Sequence, residues 1–349
     1  MKNLAGQGAA SQAGGIYALE RLMEDSEQDQ PRVVSVLSAY IRERAPRTGT
    51  YPEMDVNELA APVKPEVRAA VDVLASRPAE KDGRARIDWT FTDLRGLELK
   101  TRRFSLTVDR DEKAPNLNFK GANLTEADLR HSILVGLDMN GAFLRHTNLS
   151  YATVGDIGLI DAYMSHAVME GMTALNGTIM YCARMADVVA NDAKFVGTDL
   201  AATDLTAAEL KNADLRGASL AGSNLTNAKL NKANLEGAHL GSAPNWSFGY
   251  GQPPAALLGA DLTGANLRNA NLAGVYFGPP RKGEQGANLT DADLTGANLT
   301  GADLTGAVLT GAQVTDQQIA SAKRDEKIVE YPVTCQREKY HIPTPSFGK

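Results

Sequence analysis

The sequence predicts a solenoid built from a five-residue repeat. From Gly197 the chain reads GTDL-AATDL-TAAEL-KNADL-RGASL-AGSNL-TNAKL-NKANL-EGAHL, with leucine at 200, 205, 210, 215, 220, 225, 230, 235 and 240. The residue two before each of these leucines is Ala, Ser or Thr. A period of five is neither the 3.6 of a helix nor the 2 of a strand, and self-similarity at a fixed period marks a repeat architecture. Each unit therefore offers two inward positions, one small and one large and apolar. Three positions are left for solvent.

The ladder continues in both directions with shifts of phase. Upstream, the centres run Phe119, Leu124, Leu129, Leu134, Met139, Leu144, Leu149, Val154, Leu159, Met164 and Met169. One inserted residue follows, and Leu175, Met180, Met185, Ala190 and Phe195 join the strict run. Downstream, Leu257, Leu262, Leu267, Leu272 and Phe277 follow one insertion, and Leu289, Leu294, Leu299, Leu304, Leu309 and Val314 another. A degenerate approach of Trp89, Leu94, Leu99 and Phe104 precedes the 36 regular centres.

Units such as Ala260-Asp261-Leu262 and Ala287-Asn288-Leu289 resemble the pentapeptide-repeat family over about two thirds of the chain. The resemblance implies a mainly β fold, a right-handed quadrilateral β-helix with four pentapeptides to a coil. Thirty-six units would make about nine coils and a rod roughly 43 Å long at ~4.8 Å per coil. Ala beside Leu fills a narrow interior without voids.

The flanks read differently. Residues 12–24 (Ile16, Leu19, Leu22, Met23), 31–44 (Val33, Val36, Leu37, Tyr40, Ile41) and 65–76 (Val67, Ala70, Val71, Leu74) have helical periodicity. Asp29 ahead of Pro31 is the expected N-cap of the second helix. Gly15-Ile16-Tyr17-Ala18-Leu19-Glu20-Arg21 is similar to the leader ahead of the repeats in many bacterial members of the family. Membrane-spanning helices often precede that leader, but no apolar run of about 18 residues occurs here, so no anchor is expected. The predicted division is a helical domain over 1–80, a degenerate repeat approach and linker over 81–116, and the β-helix over 117–314. Loops interrupt it at 241–254 and 278–286, and a capping helix (316–327) with an extended tail completes 315–349.

Three surface features stand out when outward positions one coil apart are stacked. The first is apolar: Ile133, Val135, Phe143, Ile160, Tyr163, Val168, Tyr181, Val189 and Val196, where the late coils hold Thr, Gly, Asn and Asp. The preferred reading is that the N-terminal helices fold back over it; a partner or a second copy (a homodimer) is the alternative. The second is a polar column, Glu126, His146, His166 and Asp187, at which a divalent metal is weighed against solvated side chains, and the latter is preferred. The third is the pair of loops: Trp246, Phe248 and Tyr250 in one, Arg281 and Lys282 in the other. Loops on a rigid scaffold are candidate recognition elements, and tolerated insertion is the competing reading.

Charge and motifs narrow the function. The chain carries 36 Lys+Arg against 42 Asp+Glu, which argues against a general nucleic-acid binder. Two cysteines, Cys182 and Cys335, make neither a disulfide scaffold nor a thiol-rich metal site. Phosphate-loop, dinucleotide and zinc-protease signatures are missing from the sequence, so an enzyme is not expected, and neither is a cofactor. The opening Met1-Lys2-Asn3-Leu4 lacks the pattern of a secretory signal, and a cytoplasmic location is the expectation. The resemblance implies a non-enzymatic interaction protein. In the family's quinolone-resistance and topoisomerase-poison immunity proteins, rods imitate duplex DNA and bind DNA gyrase. Residues 117–320 hold 19 acidic and 12 basic side chains, so mimicry here would be partial. A generic protein-binding scaffold is the alternative.

Overall fold

The structure, a computed structural model, describes residues 9–48, 63–100, 117–242 and 253–322. Asn123 pairs with Phe143, Asp128 with Asn148, Ile133 with Thr153 and Asp138 with Gly158, all in parallel, so the chain winds a four-sided coil. Among the described residues, six sides are long enough to be strands: β1 (Glu98–Lys100), β2 (Leu117–Asn118), β3 (Ile133–Val135), β4 (Leu137–Asp138), β5 (Thr153–Gly155) and β6 (Thr173–Ala174). They pair β1-β3-β5-β6 and β2-β4, all parallel. The other sides meet by single bridges, because a chain that turns at every repeat leaves only two or three residues extended.

One column of bridges runs Asp88, Asn123, Phe143, Tyr163, Arg184, Asp204, Asn224, Ala256, Tyr276 and Asp303. The described part of the degenerate stretch is thus built as sides of the same coil, with Trp89, Leu94 and Leu99 buried in the common core. Phe104 lies outside the described residues.

Two local rules make the coil. Corners put one residue at positive φ, where Gly, Asn and Asp cost least: Gly217 at 62°, Asn212 at 57°, Asp187 at 57°. The (Asp/Asn)-Leu-Thr triplets brace the turn they lead into. In Asp261-Leu262-Thr263, the Asp261 Oδ1 accepts from both the Thr263 N–H (3.1 Å) and its hydroxyl (2.6 Å). Asn224 with Thr226 and Asn288 with Thr290 repeat the pattern. Inward Ala213, Leu215, Ala218 and Leu220 are fully buried, each leucine worth about 1.5–3 kcal/mol.

The phase shift sits one residue later than the sequence suggested. Ala174, not Leu175, is the inward centre after Met169: it pairs with Val154 and is 5% exposed. Leu175 is the extra residue, half-buried beside Gly155, and the ladder resumes at Met180.

The N-terminal elements are α1 (Ala9–Asp25), α2 (Gln30–Arg44) and α3 (Pro65–Ser76). Ile16, Met23, Leu37, Ile41, Val71 and Leu74 join one core cluster with Trp89 and Phe119 of the coils. Leu22 is 40% exposed and is not part of that face. Asp29 does not cap α2 with its side chain; its carboxylate accepts from the Ser26 hydroxyl (2.9 Å) and pairs with Arg32. The helices bond to the coils at Asp88, Phe91, Asp93, Asn118 and Glu126, closing the first open end instead of folding back along the apolar face. A buried network anchors them. Arg77 holds Asp82 at 2.6 Å and donates to the Asn118 carbonyl, while Gln30 of α2 donates to Asp82 at 2.7 Å.

Among the described residues the far end is closed more lightly. The capping helix is only α4 (Asp316–Ser321), begun by a capping box between Thr315 and Gln318. The Gln318 amide donates to the carbonyls of Leu294 and Ala297. Leu304, Leu309 and Val314, inward by position, stay half-buried. The tail from 323 lies outside the described residues.

Two substitutions test this arrangement. Leu215→Lys buries an unpaired charge in a dry column and is expected to cost more than about 4 kcal/mol, seen as lost circular-dichroism signal. A normal spectrum and melting curve would remove the inward assignment. Arg77→Ala leaves Asp82 buried without its cation and is expected to cost about 3–5 kcal/mol in urea unfolding.

Candidate interaction face

Parallel in-register stacking sets equivalent side chains one coil apart, so two aromatics at the same position must meet face to face. Phe143 and Tyr163 do so, with ring centroids 4.9 Å apart and planes at 16°. The sequence had put these two on one face. It had not placed Arg184, whose guanidinium lies 4.1 Å from the Tyr163 centroid and pairs with buried Asp161 at 3.4 Å. Arg184 bridges to Tyr163 one position later than a regular coil would place its partner, so the inserted residue hid its register. A cation over an aromatic face contributes about 0.5–2 kcal/mol, and here it continues the stack.

Much of the remaining apolar set is not surface. Val135, Val168 and Tyr181 are buried, Ile133, Ile160 and Val189 are half-buried, and Val196 is exposed. The usable face is therefore the Phe143–Tyr163–Arg184 ladder and its borders.

The corner beside it carries the polar column. Glu126, His146, His166 and Asp187 all sit at positive φ, between 55° and 59°. The two imidazoles stack 5.0 Å apart with planes at 7°. Lone pairs lie in the ring plane, so parallel stacked rings do not converge on one ion. Among the described residues no group of three His, Cys, Asp or Glu could hold a metal. His131 and Tyr151 stack likewise, 5.3 Å apart, so such pairs are a general product of the coil. Burial, then the facing His166 and Arg145, holds His146 below its ordinary 6.5.

Some of the acidic side chains of the coils are compensated by a neighbouring base. Asp138 pairs with Lys120 (3.1 Å), Glu209 with Lys229 (2.6 Å) and Asp214 with Arg216 (2.7 Å). The hydrogen bond from Lys229 keeps the Glu209 carboxyl below its usual range, whereas burial pushes Asp199 up. Both loops leave from neighbouring corners, after Leu240 and after Phe277. Arg281 and Lys282 are exposed, and Arg281 pairs with Glu284 at 3.9 Å. Trp246, Phe248 and Tyr250 lie outside the described residues.

A family model for pentapeptide repeats matches the chain in eight copies, over residues 116–152, 183–221, 208–243, 255–278 and 285–316. Among solved structures the chain is similar to HetL, a pentapeptide repeat protein involved in heterocyst differentiation regulation from the cyanobacterium Nostoc. The identity is 27%, covering 66% of this chain and 92% of that one, with a TM-score of 0.34. Trypsin-treated QnrB1, a plasmid-mediated fluoroquinolone resistance protein, is 18% identical over 64% of this chain and 93% of its own, with a TM-score of 0.32. A pentapeptide repeat protein of the Arabidopsis thaliana thylakoid lumen is 27% identical over 36% of this chain and 72% of its own, with a TM-score of 0.26. No curated protein matches.

His146 makes stability pH-dependent. With the folded value of His146 below 6.5, the unfolded chain binds more protons as pH falls through that range, so stability is lost on acidification. Melting temperature is expected to drop between about pH 7 and about pH 5, and less steeply in His146→Gln. Equal slopes in the two proteins would remove His146 from the account.

Proposed function

The repeat region of this chain belongs to the pentapeptide-repeat family, and we propose that the protein is a non-enzymatic rod that binds another protein. The observation that carries this reading is the Phe143–Tyr163–Arg184 ladder. The coil spends three successive rungs of one side on aromatic and cationic groups. Inter-coil backbone hydrogen bonds hold that side rigid, so little entropy is lost on binding. Tyr and Arg are also the residue types that dominate protein interfaces.

The most specific partner is DNA gyrase or a related topoisomerase, with protection against topoisomerase poisons as the outcome and the cytoplasm as the place. The family resemblance and the acidic excess over 117–320 support it. Charge imitation of a duplex contributes only in part, because Asp138, Asp161, Glu209 and Asp214 each carry their own cation. Contact through the ladder, and through the loops carrying Trp246, Phe248, Tyr250, Arg281 and Lys282, supplies the rest. Those same ion pairs favour the second reading, a scaffold for a partner that does not resemble a DNA-binding enzyme.

A gyrase supercoiling assay with and without a quinolone separates the two. Protection by the intact protein is expected, reduced at least about tenfold in Tyr163→Ala/Arg184→Ala and in a variant lacking 243–252 and 279–286. A folded rod that neither protects nor inhibits discards the topoisomerase.

A further inference from the structure

The chain contains two Asn-Gly steps, Asn140-Gly141 and Asn176-Gly177. Asn is a labile residue, and a following Gly has no side chain to shield its backbone nitrogen from the Asn amide. The flanking residues are alike, Met139 and Ala142 around one step, Leu175 and Thr178 around the other. The sequence alone therefore gives the two steps similar reactivity. The coil treats them differently.

At the first step both reacting groups are tied to the next coil. The Gly141 N–H donates to the Ile160 carbonyl at 2.8 Å, and the Asn140 Oδ1 accepts from the Ile160 N–H, also at 2.8 Å. The Asn140 side chain lies over Gly158, where a Cβ would come within 2.9 Å of its Oδ1. Asn140 and Gly141 are half-buried.

The second step follows the extra residue, Leu175. Around it the ladder is made: the Leu175 N–H donates to the Val154 carbonyl (2.7 Å) and the Asp156 N–H to the Asn176 carbonyl (3.1 Å). On the next coil the Gly197 N–H donates to the Arg216 carbonyl (2.9 Å), and the same register would bring the Gly177 N–H to Val196. Among the described residues, neither the Gly177 N–H nor the Asn176 side chain has a hydrogen-bond partner. Both residues are exposed. The fold also demands glycine here. Its φ is 80°, and a Cβ would stand 3.1 Å from both the Cα and the Oδ1 of Asp156.

We propose that Asn176 is a spontaneous modification site, at which the folded rod converts a side-chain amide into a carboxylate. The Gly177 backbone nitrogen attacks Asn176 Cγ and forms a five-membered succinimide. The Cγ–Nδ2 bond breaks, and the Gly177 proton passes through solvent to the departing ammonia. Water then adds to one of the two ring carbonyls and cleaves its bond to nitrogen. Cleavage at Cγ gives aspartate, and cleavage at the main-chain carbonyl gives isoaspartate. One water is consumed and one ammonia released, without oxidant or reductant. The new carboxylate stands beside exposed Asp156, so the corner gains a like-charge pair. Isoaspartate also adds a methylene to the main chain, at a corner that already carries an extra residue. The site is independent of the Phe143–Tyr163–Arg184 side and of the partner proposed for it.

Asn140 and Asn176 fall in different tryptic peptides, 131–145 and 146–184, so tandem mass spectrometry reads them separately. The full chain is aged in mildly alkaline buffer, once folded and once in urea, and amide-to-acid conversion is followed at each. In the folded chain, conversion is expected at least about tenfold faster at Asn176 than at Asn140, whose two hydrogen bonds must first break. In urea the two rates are expected to match. Matched rates in the folded chain, or an Asn176 that reacts only in urea, would overturn the site. A difference that persists in urea would assign the selectivity to the sequence and overturn the role of the coil.

Discussion

Parallel hydrogen bonding between each coil and the next is the constraint from which the rest of the structure follows. It requires each side to be short and each corner to recur at a fixed place. An interior so narrow accepts only one small and one large side chain per side, hence the Ala and Leu of the repeats. Additions to the chain are accommodated at corners, where they do not disturb the ladder. Leu175 and the loops after Leu240 and Phe277 all obey that rule.

The same register governs the surface. Any residue type repeated at coil spacing is brought to about 5 Å from its copy, whether or not the contact is useful. His146 over His166 and His131 over Tyr151 are of this kind. What distinguishes the Phe143–Tyr163–Arg184 side is a change of chemistry along the stack, with the cation anchored from beneath by buried Asp161. Acids elsewhere are divided between closing turns, as Asp261 does, and balancing a neighbouring base, as Glu209 does.

The sequence made the coil legible because period five leaves a signal at every unit. The resemblance to a family supplied its four sides. The three helices were also readable from their apolar spacing, with α3 in place at both ends, α2 one residue longer at its start and α1 beginning at Ala9 instead of residue 12. What escaped were features that depend on register across an irregularity. A single extra residue near Ala174 concealed that Arg184 lies over Tyr163. Asp29 looked like a helix cap because its type and the following Pro31 fit, but its carboxylate is taken by Ser26 and Arg32. The position of the helices at the end of the coil, not along its flank, was equally invisible, since an amphipathic stripe says that a face is covered and not by what. Arg77, Asp82 and Gln30 decide that question, and they stand up to 52 residues apart in sequence.

The two ends of the coil are unequal. One is sealed by three helices and a buried ion pair, the other by the short α4 over half-buried Leu304, Leu309 and Val314. During synthesis the sealed end leaves the ribosome first. Each later coil then finds a finished template on which to add its hydrogen bonds, much as a crystal grows from a seed. Growth in that direction never exposes more than one unfinished edge. A chain broken late in translation would keep a well-formed stub, while one lacking α1, α2 and α3 would start without a seed.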